Sequence, residues 1–403
     1  MKRTASLLAV AGLALSCAAQ PENQKQPKDQ PQVFQPNGAA FQPEKLEPTE
    51  ERLQSLKLPD GFEISIFAKD LGKPRMIAAG PGGQVYISRT EPGDILLLAD
   101  SDGDGKADTE RRALRIPHAH GLAVRNDTLY IATIHEVLSA DIRPDGSLGR
   151  PRTLIDDLPD GGQHFRRTIG FDNDGFLYIS IGSTCNTCNE PNPEHATMLR
   201  ADPDDRTIFA RGLRNTIGFD WHPETGELWG MDHGIDWLGN DEGKEELNRI
   251  TRGTHYGWPW VYNDGKINPT AQDPTSGMTK EQVAQNSEAP ALTYTAHAAP
   301  IAFLFYTGDN FPAEFRGDAI AAMHGSWNRE KPSGYEVVRI RFNESGQPER
   351  FEPFITGFLT NDGKAQFGRP CGLAQLPDGS LLLGDDDHGV IYRITYDRGT
   401  ASR

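Results

Sequence analysis

No stretch of this sequence is long enough and apolar enough to cross a bilayer. Its best run, Leu7 to Leu15, falls well short of the ~20 residues that a spanning helix needs. Positive charge is also in deficit. Lys and Arg number 41 against 57 Asp and Glu, for a net charge of −16, and a general nucleic-acid binder would need a basic surface. A local basic pocket is not excluded by that balance. Cysteine is scarce, with four in 403 residues. Cys185-Asn186-Thr187-Cys188 is not a c-type haem site, because Asn189 stands where His is required. Zinc would need a second ligand pair, and none has the right spacing.

What is present begins with a targeting segment. Lys2 and Arg3 precede the apolar run, which ends in Leu13-Ala14-Leu15-Ser16-Cys17. That ending resembles a bacterial lipobox, with residues 1–17 as the signal and Cys17 as the lipidated residue. Ordinary cleavage near Ala18 or Ala19 is the alternative and would give a soluble exported protein. Residues 18–56, rich in Gln, Pro, Glu and Lys, read as a flexible tether. The expectation is a periplasmic or cell-surface lipoprotein that touches the membrane only through its anchor. In an exported chain a short-loop disulfide between Cys185 and Cys188 is the default, leaving Cys371 unpaired unless it competes for one of them.

Glycine (42) and proline (29) are abundant, as suits many short strands joined by turns. From residue 60 onward a unit recurs: a polar residue, an apolar strand, a Gly-containing turn, then an apolar strand with an aromatic. Arg75-Met76-Ile77-Ala78-Ala79 followed by Val85-Tyr86-Ile87 is one copy, and His120-Gly121-Leu122-Ala123-Val124 followed by Leu129-Tyr130-Ile131 is the next. Further copies start at Arg167, Arg214 and Arg369, with a degenerate one at His297, making six. Six such units predict an all-β chain, a six-bladed β-propeller over residues 57–397. A β-sandwich would not explain the copy number. The strand Phe62–Phe67 is expected to seal the last blade, residues 254–298 read as an insertion, and 398–403 as a tail. The residues leading the innermost strands are Arg75, His120, Arg167, Arg214, His297 and Arg369. Gathered at one channel mouth they would repel one another without an anion between them. Pairing with local carboxylates such as Asp232 or Asp385 to Asp387 is the alternative.

Several blocks then carry a resemblance. Gln163-His164-Phe165-Arg166-Arg167-Thr168, Arg211-Gly212-Leu213-Arg214-Asn215 and Asp232-His233-Gly234-Ile235 stand in order, followed by Glu246-Leu247-Asn248 and Tyr256-Gly257-Trp258-Pro259. Over roughly residues 57–397 the chain resembles the glucose/sorbosone dehydrogenase family, the soluble quinoprotein sugar dehydrogenases. Gly325-Ser326-Trp327-Asn328-Arg329 and Gly368-Arg369-Pro370 look like the sorbosone branch. The resemblance implies pyrroloquinoline quinone (PQQ), a tricarboxylate, and calcium as cofactors. Arg214, Asn215 and Arg369 would bind the quinone, His297 lies in the same ring of leading residues, and Arg329 is the nearest counterpart of the family's cofactor Lys. Main-chain oxygens of Gly234 and Ile235 would hold calcium, with Ile235 where the family commonly has Pro. Glu246 and Tyr256 resemble a second, structural calcium site. His164 would accept the substrate hydroxyl proton. A sugar or sugar-derived aldehyde would be the substrate, and a membrane quinone or cytochrome the electron acceptor. A calcium-dependent propeller lactonase or a non-catalytic ligand-binding propeller is the rival; a funnel dominated by Arg and His disfavours the lactonase. Apart from these blocks, Asp100-Ser101-Asp102-Gly103-Asp104-Gly105-Lys106-Ala107-Asp108 reads equally as a calcium loop or an Asx-rich turn, since its twelfth position is Arg111.

Overall fold

The computed structural model describes residues 37–202 and 205–399, so Cys17, the signal segment and most of the short C-terminal tail lie outside the described residues. Among those described, the chain is built on six four-stranded antiparallel sheets. Their innermost strands are Ile77–Ala79, Leu122–Arg125, Thr168–Phe171, Thr216–Trp221, Pro300–Phe305 and Pro370–Gln375. Each packs on the next in that order, and the last packs on the first, so the sheets close a ring. The middle strands are apolar on both faces, as in Val85–Arg89, where Val85, Tyr86 and Ile87 are fully buried between neighbouring sheets. In the second sheet a two-residue turn sets the register. Asn126 and Asp127 both take positive φ, 50° and 54°, between Leu122–Arg125 and Thr128–Ala132, the twist that a tight hairpin requires.

The recurring glycine of the inner strands has a steric cause. A Cβ on Gly121 would lie 2.7 Å from the Arg167 carbonyl oxygen, and one on Gly372 would lie 2.5 Å from that of Arg75. Glycine lets successive inner strands approach closely around the ring. Closure uses the two ends of the described chain, as Phe62–Ala68 pairs antiparallel with Val390–Tyr396 and completes the sixth sheet. Phe62 seals the seam through ring contacts with Phe311, Phe315, Phe354 and Tyr396 at 4.8–5.0 Å.

Two expectations need correction. Residues 37–56 are not a tether. Thr49 caps the short helix Glu50–Gln54, Leu53 and Leu56 are buried against the core, and Glu44–Lys45 pairs in parallel with Ala365–Gln366. Leucine packing and strand pairing together bind this stretch to the ring. The insertion is also shorter than expected, because Leu292–Tyr294 forms the outer strand of the fourth sheet against Glu245–Leu247. What remains outside the sheet carries the hairpin Val261–Tyr262/Lys266–Ile267 and the helix Lys280–Gln285.

Candidate active site

His164 precedes the inner strand of the third sheet. Its Nδ1 lies 2.8 Å from Ser183 Oγ, whose own proton goes to the Cys185 carbonyl at 2.7 Å. Ser183 can therefore only accept from the imidazole, so the proton sits on Nδ1 and Nε2 keeps a bare lone pair. Burial, with Arg214 and His233 adding to it, pushes the His164 pKa down to about 2, so the ring is neutral. Gly182 makes room for the convergence: a Cβ there would stand 2.5 Å from His164 Cβ and 3.0 Å from Asn215 Oδ1. His164 and Asn215 thus meet over one glycine.

Arg214 and Asn215 are buried at the start of the fourth inner strand. The Asp232 carboxylate fastens them by accepting from the backbone N–H of Arg214 (2.8 Å) and Asn215 (2.7 Å) and from the Thr216 hydroxyl (2.9 Å). Arg214 Nη2 donates to Asp236 and to Asn186 Oδ1, both at 2.8 Å, and Nε donates to the Asn186 carbonyl at 3.2 Å. Only Nη1 has no partner among the described residues, so one edge of the guanidinium is engaged and the other is open. Asn328 reinforces Asp236 at 2.6 Å.

The Gly234–Ile235 turn suits a hard cation. Neither carbonyl accepts a hydrogen bond from the described residues, and hard oxygen donors are what calcium takes. The turn is pinned from behind, since Glu245 accepts from Gly234 N at 3.0 Å and from Ala299 N at 2.9 Å. Burial raises the Glu245 pKa to about 8 despite those bonds. Gly234 must be glycine, because a Cβ would sit 1.9 Å from the Gly243 carbonyl oxygen. At the other pair singled out for calcium, Glu246 receives the Asn263 N–H at 2.7 Å, and the Tyr256 hydroxyl bonds the Arg249 carbonyl and the Thr251 N–H.

The ring of leading residues is less uniform in charge than its sequence suggests. Arg167 is fully buried and bonds the carbonyls of Pro159, Asp160 and His164, away from any ligand. Arg75 pairs with Asp386 at 2.5 Å, and His324 joins the same carboxylate at 2.8 Å. Burial alone would raise the Asp386 pKa; His324, Arg75 and Arg369 outweigh it and hold the carboxyl well below its usual range. His120 Nδ1 meets the Arg167 carbonyl at 3.0 Å. His297 bonds the Gly239 carbonyl at 2.8 Å, and Arg329 pairs with Asp241 at 2.8 Å, so both brace the 236–241 loop. Arg369 and the exposed Arg166 have no carboxylate partner among the described residues, and Arg369 Nε is buried without any partner. With Arg214 Nη1, these are the cations left for an anion. The disulfide Cys185–Cys188 is formed and Cys371 is buried and free. Asp100, Asp102 and Asp104 lie close enough for one ion, but Asp100 already caps the Gly103 and Gly105 amides and pairs with Arg393. Ser183 and Asp236 had no sequence signal, because each matters through a contact between distant segments; Asn186 and Asn328 stood in the Cys185–Cys188 and Gly325–Arg329 blocks without a role, and Asp386 lies in the Asp385–Asp387 run offered as carboxylate partners, where it takes up Arg75.

The TrAA12-like family pattern matches residues 56–397. The chain belongs to that family. This family member is 30% identical over 365 residues to an uncharacterized protein of Borreliella burgdorferi, across 87% of this chain and 93% of that one. It is 24% identical over 394 residues to a pyrroloquinoline quinone-dependent sugar dehydrogenase of Hypocrea jecorina, across 83% and 87%. Its fold matches a Trichoderma reesei carbohydrate-active enzyme of family AA12 with a TM-score of 0.74 at 22% identity, over 85% of this chain and 98% of the other. The PQQ domain of Coprinopsis cinerea pyranose dehydrogenase, in its holo form, gives 0.71 at 19% identity over 85% and 97%. The kinship with soluble quinoprotein sugar dehydrogenases read from the sequence holds.

Proposed function

We propose that this protein is a six-bladed β-propeller oxidoreductase that uses PQQ and calcium to oxidise a sugar or sugar-derived aldehyde of the glucose/sorbosone type. The observation that carries this reading is the His164 imidazole, held neutral with its proton on Nδ1 and its Nε2 bare, beside a buried arginine with one free edge. The donor set suits the group. Arg214 Nη1, Arg369 and Arg166 are available to carboxylates, and the Gly234 and Ile235 carbonyls to calcium. PQQ, when bound, supplies a two-electron acceptor for the substrate carbon. Around it His164 Nε2 takes the substrate hydroxyl proton, Ser183 keeps the tautomer that permits this, and Asn215 lines the same small space across Gly182. We also propose that the enzyme is exported and anchored through Cys17, and that it passes electrons to a membrane quinone or cytochrome.

Calorimetric titration of the apoprotein with PQQ, with and without a calcium chelator, tests the cofactor reading. The expected result is tight binding only when calcium is present. Equal binding in both conditions, or none in either, overturns it. Dye reduction by the reconstituted protein across a sugar and aldehyde panel identifies the substrate class.

A further inference from the structure

The disulfide-closed loop 185–188 has no strand or helix to fix it, yet it reaches into the site. Asn186, at its tip, uses every polar group of its side chain there. Its Nδ2 donates to the Asp236 carbonyl at 3.0 Å, and its Oδ1 accepts from Asp236 N at 2.9 Å. The amide thus mimics a peptide unit paired with the Asp236 backbone. The same Oδ1 accepts from Arg214 Nη2, and the Asn186 backbone carbonyl accepts from Arg214 Nε and, at 3.1 Å, from the indole Nε1 of Trp258 in the insertion. One residue therefore ties together the third sheet's loop, the arginine of the fourth sheet, the chain just after the Gly234–Ile235 turn, and the insertion.

We infer that Asn186, fixed by the Cys185–Cys188 disulfide, is the positioning residue for Arg214 and sets how tightly the site binds an anionic cofactor. The inference rests on the cofactor reading above. A free arginine side chain has many rotamers, and ordering it on binding costs affinity. Asp236 alone would pair with Arg214 but would not decide which edge of the guanidinium stays free. Asn186 occupies Nε and part of Nη2, and its grip on the Asp236 backbone keeps the carboxylate on the same side. Nη1 is left open before any ligand arrives. Pre-organisation of this kind acts on the binding step and leaves the proton transfer at His164 alone.

The test measures PQQ affinity by calorimetry at saturating calcium for the full chain and for Asn186→Ala, Arg214→Ala, the double variant, and Cys185→Ser with Cys188→Ser. Alanine keeps the backbone carbonyl that takes Arg214 Nε but loses the Nη2 bond and the pairing with the Asp236 backbone, which predicts a Kd raised ~10-fold in Asn186→Ala, with kcat at saturating quinone within about threefold. In the Arg214→Ala background the same substitution should change Kd by less than about twofold, because its effect runs through that arginine. The paired serine variant should behave like Asn186→Ala and remain folded by thermal unfolding. An unchanged Kd in Asn186→Ala, or an equal loss with and without Arg214, overturns the positioning role. An unchanged Kd in the serine pair overturns the part assigned to the disulfide. If the unsubstituted protein binds no quinone, the cofactor reading itself fails, an outcome distinct from all of these.

Discussion

At the scale of single residues, the site is decided by where protons sit. His164 is neutral because it is buried beside a cation, and its tautomer is chosen by a serine whose own proton is already committed. A positioned base contributes ~10²–10⁴-fold in rate, nearly all of it in the transition state. His164→Gln should therefore bind PQQ with unchanged Kd while kcat falls by that order; normal turnover at saturation would remove His164 from the chemistry. Ser183→Ala separates orientation from basicity. Without the hydroxyl the imidazole is free to place its proton on Nε2, so kcat should fall ~10-fold or more, with the quinone Kd little changed. A loss of quinone binding in place of kcat would show that Ser183 supports the loop and not the ring. His164 itself was readable from its block of neighbours. Ser183 was not, because its claim on His164 spans 19 residues and exists only once two strands of the third sheet are paired.

At the scale of elements, the sixth sheet joins the two ends of the ring, and its stability hangs on one strand. Phe62–Ala68 contributes the aromatic that meets Phe311, Phe315, Phe354 and Tyr396. Truncating a fully buried phenylalanine typically costs about 3 kcal/mol or more, and Phe62, which is partly buried, should cost about 2 kcal/mol. Phe62→Ala should lower the urea midpoint accordingly without altering the quinone Kd, since the seam lies far from the Arg214 network in sequence and shares no partner with it. A loss below ~1 kcal/mol would mean that the seam is held by backbone pairing alone. The strand was legible from its alternation of apolar and polar residues. The helix before it was not: Gln, Pro and Glu dominate its neighbourhood, and only packing shows that Leu53 and Leu56 have a surface to cover.

At the scale of the whole molecule, an acidic chain gathers arginines around one ring and pairs some of them with its own carboxylates. Arg75, Arg214 and Arg329 face Asp386, Asp236 and Asp241, so the pull on an anion comes from fewer cations than the repeat advertises. Among the described residues no helix is long and apolar enough to cross a membrane. Cys17→Ser should move the protein from the membrane fraction to the soluble exported fraction. Unchanged sedimentation with membranes would count against lipidation at that residue.

The sequence by itself determined the repeat and, through it, the ring: at Gly121, Gly218 and Gly372 an inner strand carries glycine because the adjacent backbone approaches too closely for a Cβ, and that constraint is written in those copies. It also singled out His164, the Arg214–Asn215 pair and the Gly234–Ile235 turn as site candidates, because each stands in a short contiguous block. Only the tertiary structure decided which cations remain free and which tautomer His164 holds. Arg75 and Asp386 are 311 residues apart, and Asn186 and Asp236 are 50 apart. Charge neutralisation and hydrogen-bond commitment act over a few ångströms of space, and no local pattern records a partner supplied by another part of the chain.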